Sequence, residues 1–83
     1  MSEIRILGIS IENRMNASVN VQSTLTKFGC SIKTRVGLHE VTEKQCSIKG
    51  LIILELYGDP KESDALESEL KAIVGVNVQK MVF

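Results

Sequence analysis

No charge of either sign is in excess: ten Lys and Arg cancel ten Asp and Glu among 83 residues. Binding nucleic acid through charge alone needs a local surplus of cations, so this balance argues against it. Long apolar runs are also missing. The longest, residues 51–54 (LIIL), is far too short to span a bilayer. The first residues, MSEIRILGISIE, carry an early acid and no apolar core followed by a small-residue cleavage site, so a cytosolic protein is expected. There are two cysteines, too few for a disulfide framework. They would sit near opposite ends of a hairpin, about 20 Å apart or more, and a disulfide needs Cα atoms within about 7 Å. Reduced thiols are the expectation. One histidine, His39, is the whole supply of imidazole. No Ser-His-Asp set, phosphate-binding glycine loop or metal motif with two close ligand pairs can be assembled, so no enzyme activity and no cofactor are expected.

What is present is an ordinary globular composition. At 43% hydrophobic and 24% charged, the chain is too apolar for disorder. Residues 1–83 are expected to form one small domain. A domain of this size buries only about 60% of the surface its unfolded chain exposes, so its stability is marginal.

Residues 4–11 (IRILGISI) read as a strand with apolar residues on both faces, Ile4 and Ile6 on one and Leu7, Ile9 and Ile11 on the other. A polar break, ENRMN, comes next. A helix is expected from about 15 to 28, with Val21, Leu25 and Phe28 as its buried stripe and Gly29 as a left-handed cap. Residues 30–38 (CSIKTRVGL) alternate weakly, with Ile32 and Val36 facing the core and Ser31, Lys33 and Arg35 facing water. Residues 39–45 (HEVTEKQ) read as a polar connection. Residues 46–57 (CSIKGLIILELY) are the clearest strand: Ile48, Gly50, Ile52, Leu54 and Leu56 share one face, and Leu51, Ile53 and Tyr57 the other.

Asp59, Pro60 and Glu62 spell a helix start, with Asp59 as N-cap. Leu66, Leu70, Ile73 and Val74 form the buried stripe of that helix, and Lys61, Glu62, Glu67 and Lys71 its wet side. Gly75 ends it, and residues 76–83 form a last strand. The order βαββαβ, with right-handed crossovers, gives an α+β, ferredoxin-like sandwich: a four-stranded antiparallel sheet with two helices on one face. The first and third strands take the centre of that sheet, and they are the most apolar.

The uncovered side of the sheet then carries Leu51 and Ile53 into water. Scattered surface leucines are one reading. A homo-oligomer that stacks or extends the sheet is the other, because soluble monomers seldom expose a contiguous apolar patch. Two candidate sites stand out. Asn13, Arg14 and Asn16 precede the first helix, where amides and a positive charge beside free N–H groups suit an anionic small molecule. Arg14 can equally be read as a solvated turn residue. His39, Glu40 and Cys46 cluster around the second hairpin, where imidazole and thiolate suit a transition metal shared between subunits. A loop histidine beside an unrelated cysteine is the plainer reading.

The segment ISIENR, a helix, and then FGCSIKTRVG resemble the first half of an ACT domain. More closely, the chain resembles a family of short stand-alone proteins described as iron-only hydrogenase system regulators. The supporting residues are the ENR turn (12–14), Arg35-Val36-Gly37, LIILEL (51–56) and Gly75-Val76 before a Val-rich strand. The resemblance covers nearly the whole chain and rests on order and spacing. That family is similar in fold to the C-terminal domain of nickel-responsive regulators. Those carry several histidines and a preceding ribbon-helix-helix segment, whereas this chain has one His, no His-x-His pair and a first strand expected from residue 4. ACT domains also commonly have Pro-Gly where this chain has Met15-Asn16. The resemblance implies an ACT-like regulatory module that binds a small molecule such as an amino acid, or a protein partner, without contacting DNA or membrane. A metal-binding protein using His39 and Cys46, or a purely structural interaction domain, are the alternatives.

Overall fold

The computed structural model describes residues 3–12, 17–41 and 46–83, with backbone alone for 38–41 and 46–49. The elements are β1 (Arg5–Ile11), α1 (Ala17–Lys27), a 3₁₀ turn (Gly29–Ser31), β2 (Ile32–Val41), β3 (Cys46–Leu56), α2 (Pro60–Lys71) and β4 (Val76–Val82). The four strands form one antiparallel sheet in the order β2-β3-β1-β4. This is the expected ferredoxin-like βαββαβ sandwich, with β1 and β3 in the centre.

Period-two alternation decides which side of the sheet each residue takes. Leu7, Ile9 and Ile11 of β1 and Ile52, Leu54 and Leu56 of β3 point toward the helices and are buried. Ala17, Val21, Leu25 and Phe28 come down on them from the first helical segment, and Leu66 and Leu70 from α2. Asp59 caps α2 as expected, its Oδ1 accepting from the Lys61 N–H at 2.9 Å, with Pro60 in the first turn. Glycine is required at two turns, where the backbone adopts φ of 94° at Gly58 and 88° at Gly75.

Several local expectations are corrected. Gly29 is not a left-handed cap: α1 stops at Lys27, and the chain tightens into a 3₁₀ turn in which the Ser31 N–H donates to the Phe28 carbonyl at 2.9 Å. Cys30 belongs to that turn rather than to a strand, and it is free and exposed. His39 and Glu40, expected in a polar connection, continue β2. The pairing of β2 with β3 slips between Ile32 and Thr34. A slip of one residue moves every later residue of the strand to the opposite side of the sheet. Ile32 therefore packs on the core while Val36, expected inside, is 45% exposed on the far side. Val74, expected in the buried stripe, is 73% exposed, because α2 has already ended at Lys71. Glu67, expected on the wet side, is buried.

The sheet face away from the helices is traced by the strand register. Its cross-strand rows are Met81, Ile6, Glu55 and Thr34; then Gln79, Gly8, Ile53 and Val36; then Asn77, Ser10 and Leu51, with Leu38 opposite Leu51. The charged member of these rows is Glu55, which accepts from the Thr34 hydroxyl at 3.1 Å and lies 3.8 Å from the Lys33 ammonium. Val36, Leu51 and Met81 are exposed there, as are Ile4, Tyr57 and Phe83 at the end of the sheet. Both faces of the central strands are thus apolar, as the alternation suggested.

Candidate functional site

Asn13, Arg14 and Asn16 lie outside the described residues, but the elements on either side of them are well defined. β1 ends at Ile11, and the next residue, Glu12, donates its N–H to the Gly75 carbonyl at 2.8 Å. The left-handed turn at Gly75 thereby ties the end of β1 to the α2–β4 connection. α1 begins at Ala17 with no acidic residue in its first turn. Glu12, Lys71, Gly75, Val76, Asn77 and Val78 line an open groove at this end of the sheet. The groove contains one ammonium, one carboxylate and the Asn77 amide.

Lys71 links the groove to a charged network that the sequence alone did not single out. The Arg5 guanidinium, buried at the start of β1, donates to Glu3 Oε1 at 2.7 Å, Asp64 Oδ1 at 2.7 Å and Glu67 Oε1 at 3.3 Å. Glu67 also lies 2.8 Å from the Lys71 ammonium and 3.4 Å from that of Lys80. Burial alone would pull the Arg5 pKa down. The bonds to Asp64 and Glu3 outweigh it and hold the group above its ordinary value. Burial likewise favours the neutral form of Glu67, but its contacts with Lys71 and Lys80 prevail and hold the carboxyl below its ordinary value. Every buried side-chain polar atom among the described residues has a partner. The network is a fastening between β1, α2 and β4. Arg5 could have been found from parity, since it shares the alternation of Leu7, Ile9 and Ile11. Glu67 could have been found from its place between Leu66 and Leu70.

The second candidate cluster lies at the far end of the β2–β3 hairpin. The register sets His39 opposite Gly50 and Cys46 opposite Val41, with Glu40 between the two pairs. Their side chains are outside those described, and among the described residues no group of three His, Cys, Asp or Glu could hold a metal ion. Cys30 precedes β2 at the other end of the same hairpin from Cys46. No helix among the described residues is long and apolar enough to cross a membrane.

Comparison with known proteins places the fold. No family model matches the chain. No curated protein matches it either. Among solved structures, the uncharacterized protein TM1266 from Thermotoga maritima is 29% identical, with a TM-score of 0.82, over 100% of this chain and 99% of that one. The ACT domain from GTP pyrophosphokinase of Chlorobium tepidum is 15% identical, with a TM-score of 0.67, over 98% of this chain and 100% of that one. CPII from Thiomonas intermedia K12, solved bound to ADP, AMP and acetate, is 16% identical, with a TM-score of 0.52, over 98% of this chain and 88% of that one. The chain therefore has an ACT-like, ferredoxin-like fold over its whole length.

Proposed function

We propose that the protein is a non-catalytic regulatory module that senses a small anionic ligand at the turn 13–16, works as a homo-oligomer, and serves an iron-only hydrogenase system. The observation that carries the reading is the junction at Glu12. There the end of β1 and the α2–β4 turn meet at one groove, and the sequence supplies Asn13, Arg14 and Asn16 between that junction and α1. Amides and a guanidinium next to helix N–H groups fit a carboxylate or a phosphate. Amino acids are the first class to test, given the ACT-like fold, and adenine nucleotides the second, given the ligands of CPII. The charge-poor sheet face supports the oligomer. Membership of the hydrogenase-linked family rests on the sequence resemblance.

The test is a thermal-shift screen of the wild-type chain with amino acids, AMP and ADP. A ligand at 100 times its dissociation constant stabilises by about 2.7 kcal/mol. Arg14→Ala should abolish the rise in Tm for the responding ligand while changing the ligand-free stability by no more than about 0.5 kcal/mol. A ligand shift that survives the substitution, or no shift with any of these compounds, overturns the site.

A further inference from the structure

The two edges of the sheet are built differently. On β2 the pairing slips twice, between Ile32 and Thr34 and again between His39 and Val41, and the edge carries Lys33 and Arg35. Bulges and cations are the usual means of blunting an edge against another strand. β4 has neither. Its seven residues pair with β1 without a break, it contains no proline, and its one charge, Lys80, reaches back toward Glu67 of α2.

The hydrogen bonds show which groups of β4 look outward. Ile4 and Phe83 exchange both backbone bonds, at 3.2 and 2.8 Å, and Glu12 donates to Gly75. In an antiparallel ladder such pairs recur at every second residue. Asn77, Gln79 and Met81 therefore turn their backbone groups to β1. Val76, Val78, Lys80 and Val82 turn theirs away from the sheet, and of these the Val76 N–H is taken by the Ile73 carbonyl at 3.3 Å.

We infer that β4 pairs antiparallel with β4 of a second copy of this chain, about a two-fold axis through Gln79. This deepens the oligomeric part of the proposed function and is separable from it. An axis at Gln79, the middle of the strand, puts Val78 opposite the partner's Lys80 and Val76 opposite the partner's Val82. Those are the outward-facing residues, so each Val78–Lys80 pair exchanges both bonds and each Val82 N–H meets a Val76 carbonyl that accepts no backbone bond among the described residues. The side chains agree. Each Lys80 faces a valine, so no like charges are opposed. On the helix-free side Asn77 faces the partner's Met81, and the two Gln79 amides meet on the axis. The charge-poor face then continues without interruption across eight strands.

The geometry is tested by cross-linking in a chain carrying Cys30→Ser and Cys46→Ser. Gln79 is exposed, so Gln79→Cys leaves the fold intact, which circular dichroism verifies. A non-hydrogen-bonded antiparallel pair has Cα atoms about 4.5 Å apart, inside the range for a disulfide. Mild oxidation should convert most of the Gln79→Cys protein to a covalent dimer. Asn77→Cys, which stands about 13 Å along the strand from its own symmetry mate, should stay uncross-linked. Gln79→Lys, which opposes two ammoniums on the axis, should raise the dimer dissociation constant at least tenfold by light scattering. A wild-type mass of twice 9.2 kDa with no cross-link at Gln79→Cys overturns the β4 pairing and leaves the oligomeric reading standing. A wild-type mass of 9.2 kDa overturns both.

Discussion

Arg5 and Glu67 face each other at 3.3 Å between β1 and α2, with 7% and 8% of their side-chain surfaces accessible to solvent. The contact joins the start of a central strand to the middle of a helix 62 residues later. Removing one member of a buried pair strands the other, which typically costs about 3–5 kcal/mol. Arg5→Ala should fall near the low end of that range, because Lys71 and Lys80 remain on Glu67. Urea denaturation measures it, and a loss below about 1 kcal/mol would show that those lysines suffice.

The same carboxylate sets a dependence on pH. The folded pKa of Glu67 lies below its unfolded value, so the native state favours the ionised form. Its contribution to stability is present above the unfolded pKa and is lost as pH falls through the folded one. Between about pH 6 and pH 3 the urea midpoint should fall, and Glu67→Gln should make that fall shallower. Parallel curves for the two proteins would assign the acid sensitivity to other carboxyls.

At the start of α2, Asp59→Ala removes the acceptor of the Lys61 N–H. The expected loss is about 1 kcal/mol. Asp59→Asn, which keeps an acceptor oxygen, should recover most of it. Equal midpoints for wild type and the alanine variant would mean the cap contributes nothing.

Leu70 is wholly buried under α2. Leu70→Ala should cost about 2–5 kcal/mol, enough to unfold much of a domain this small at physiological temperature. Leu70→Met, nearly equal in volume, should cost less than about 1.5 kcal/mol. Similar losses for both would point away from a cavity effect.

The architecture could be read from the sequence because Leu7, Ile9 and Ile11 alternate with period two and Leu66 and Leu70 recur with period four. Asp59-Pro60 marked the start of the second helix where the structure has it, whereas the helix ends at Lys71, four residues before the Gly75 stop that the sequence suggested. The reading failed where a single residue changes parity. The slip after Ile32 sends Val36 to the far side, and nothing in CSIKTRVGL marks a bulge. It also failed where charge is buried in company. Glu67 read as solvent-facing and Arg5 drew no notice, because the acidic partners of Arg5 on α2 stand 59 and 62 positions away in the chain. Of the candidate site, the start of the first helix was legible to within about two residues, while residues 13–16 lie outside the described residues. The groove was not legible, since Lys71 and Asn77 reach it only through the α2–β4 turn.

The segregation of charge has a consequence for behaviour in salt. Most ion pairs among the described residues lie on the helix side, from the exposed Lys27–Glu69 pair linking α1 to α2 to the enclosed Arg5 cluster. The opposite face is nearly uncharged. Moderate sodium chloride should screen the exposed pair and leave the enclosed cluster almost untouched, so the monomer fold will hardly notice it. Sulfate, excluded from protein surfaces, strengthens apolar burial, and it will act on the uncovered face. Ionic strength and salt identity therefore address different sides of one small molecule, and salting-out will be governed by one surface alone.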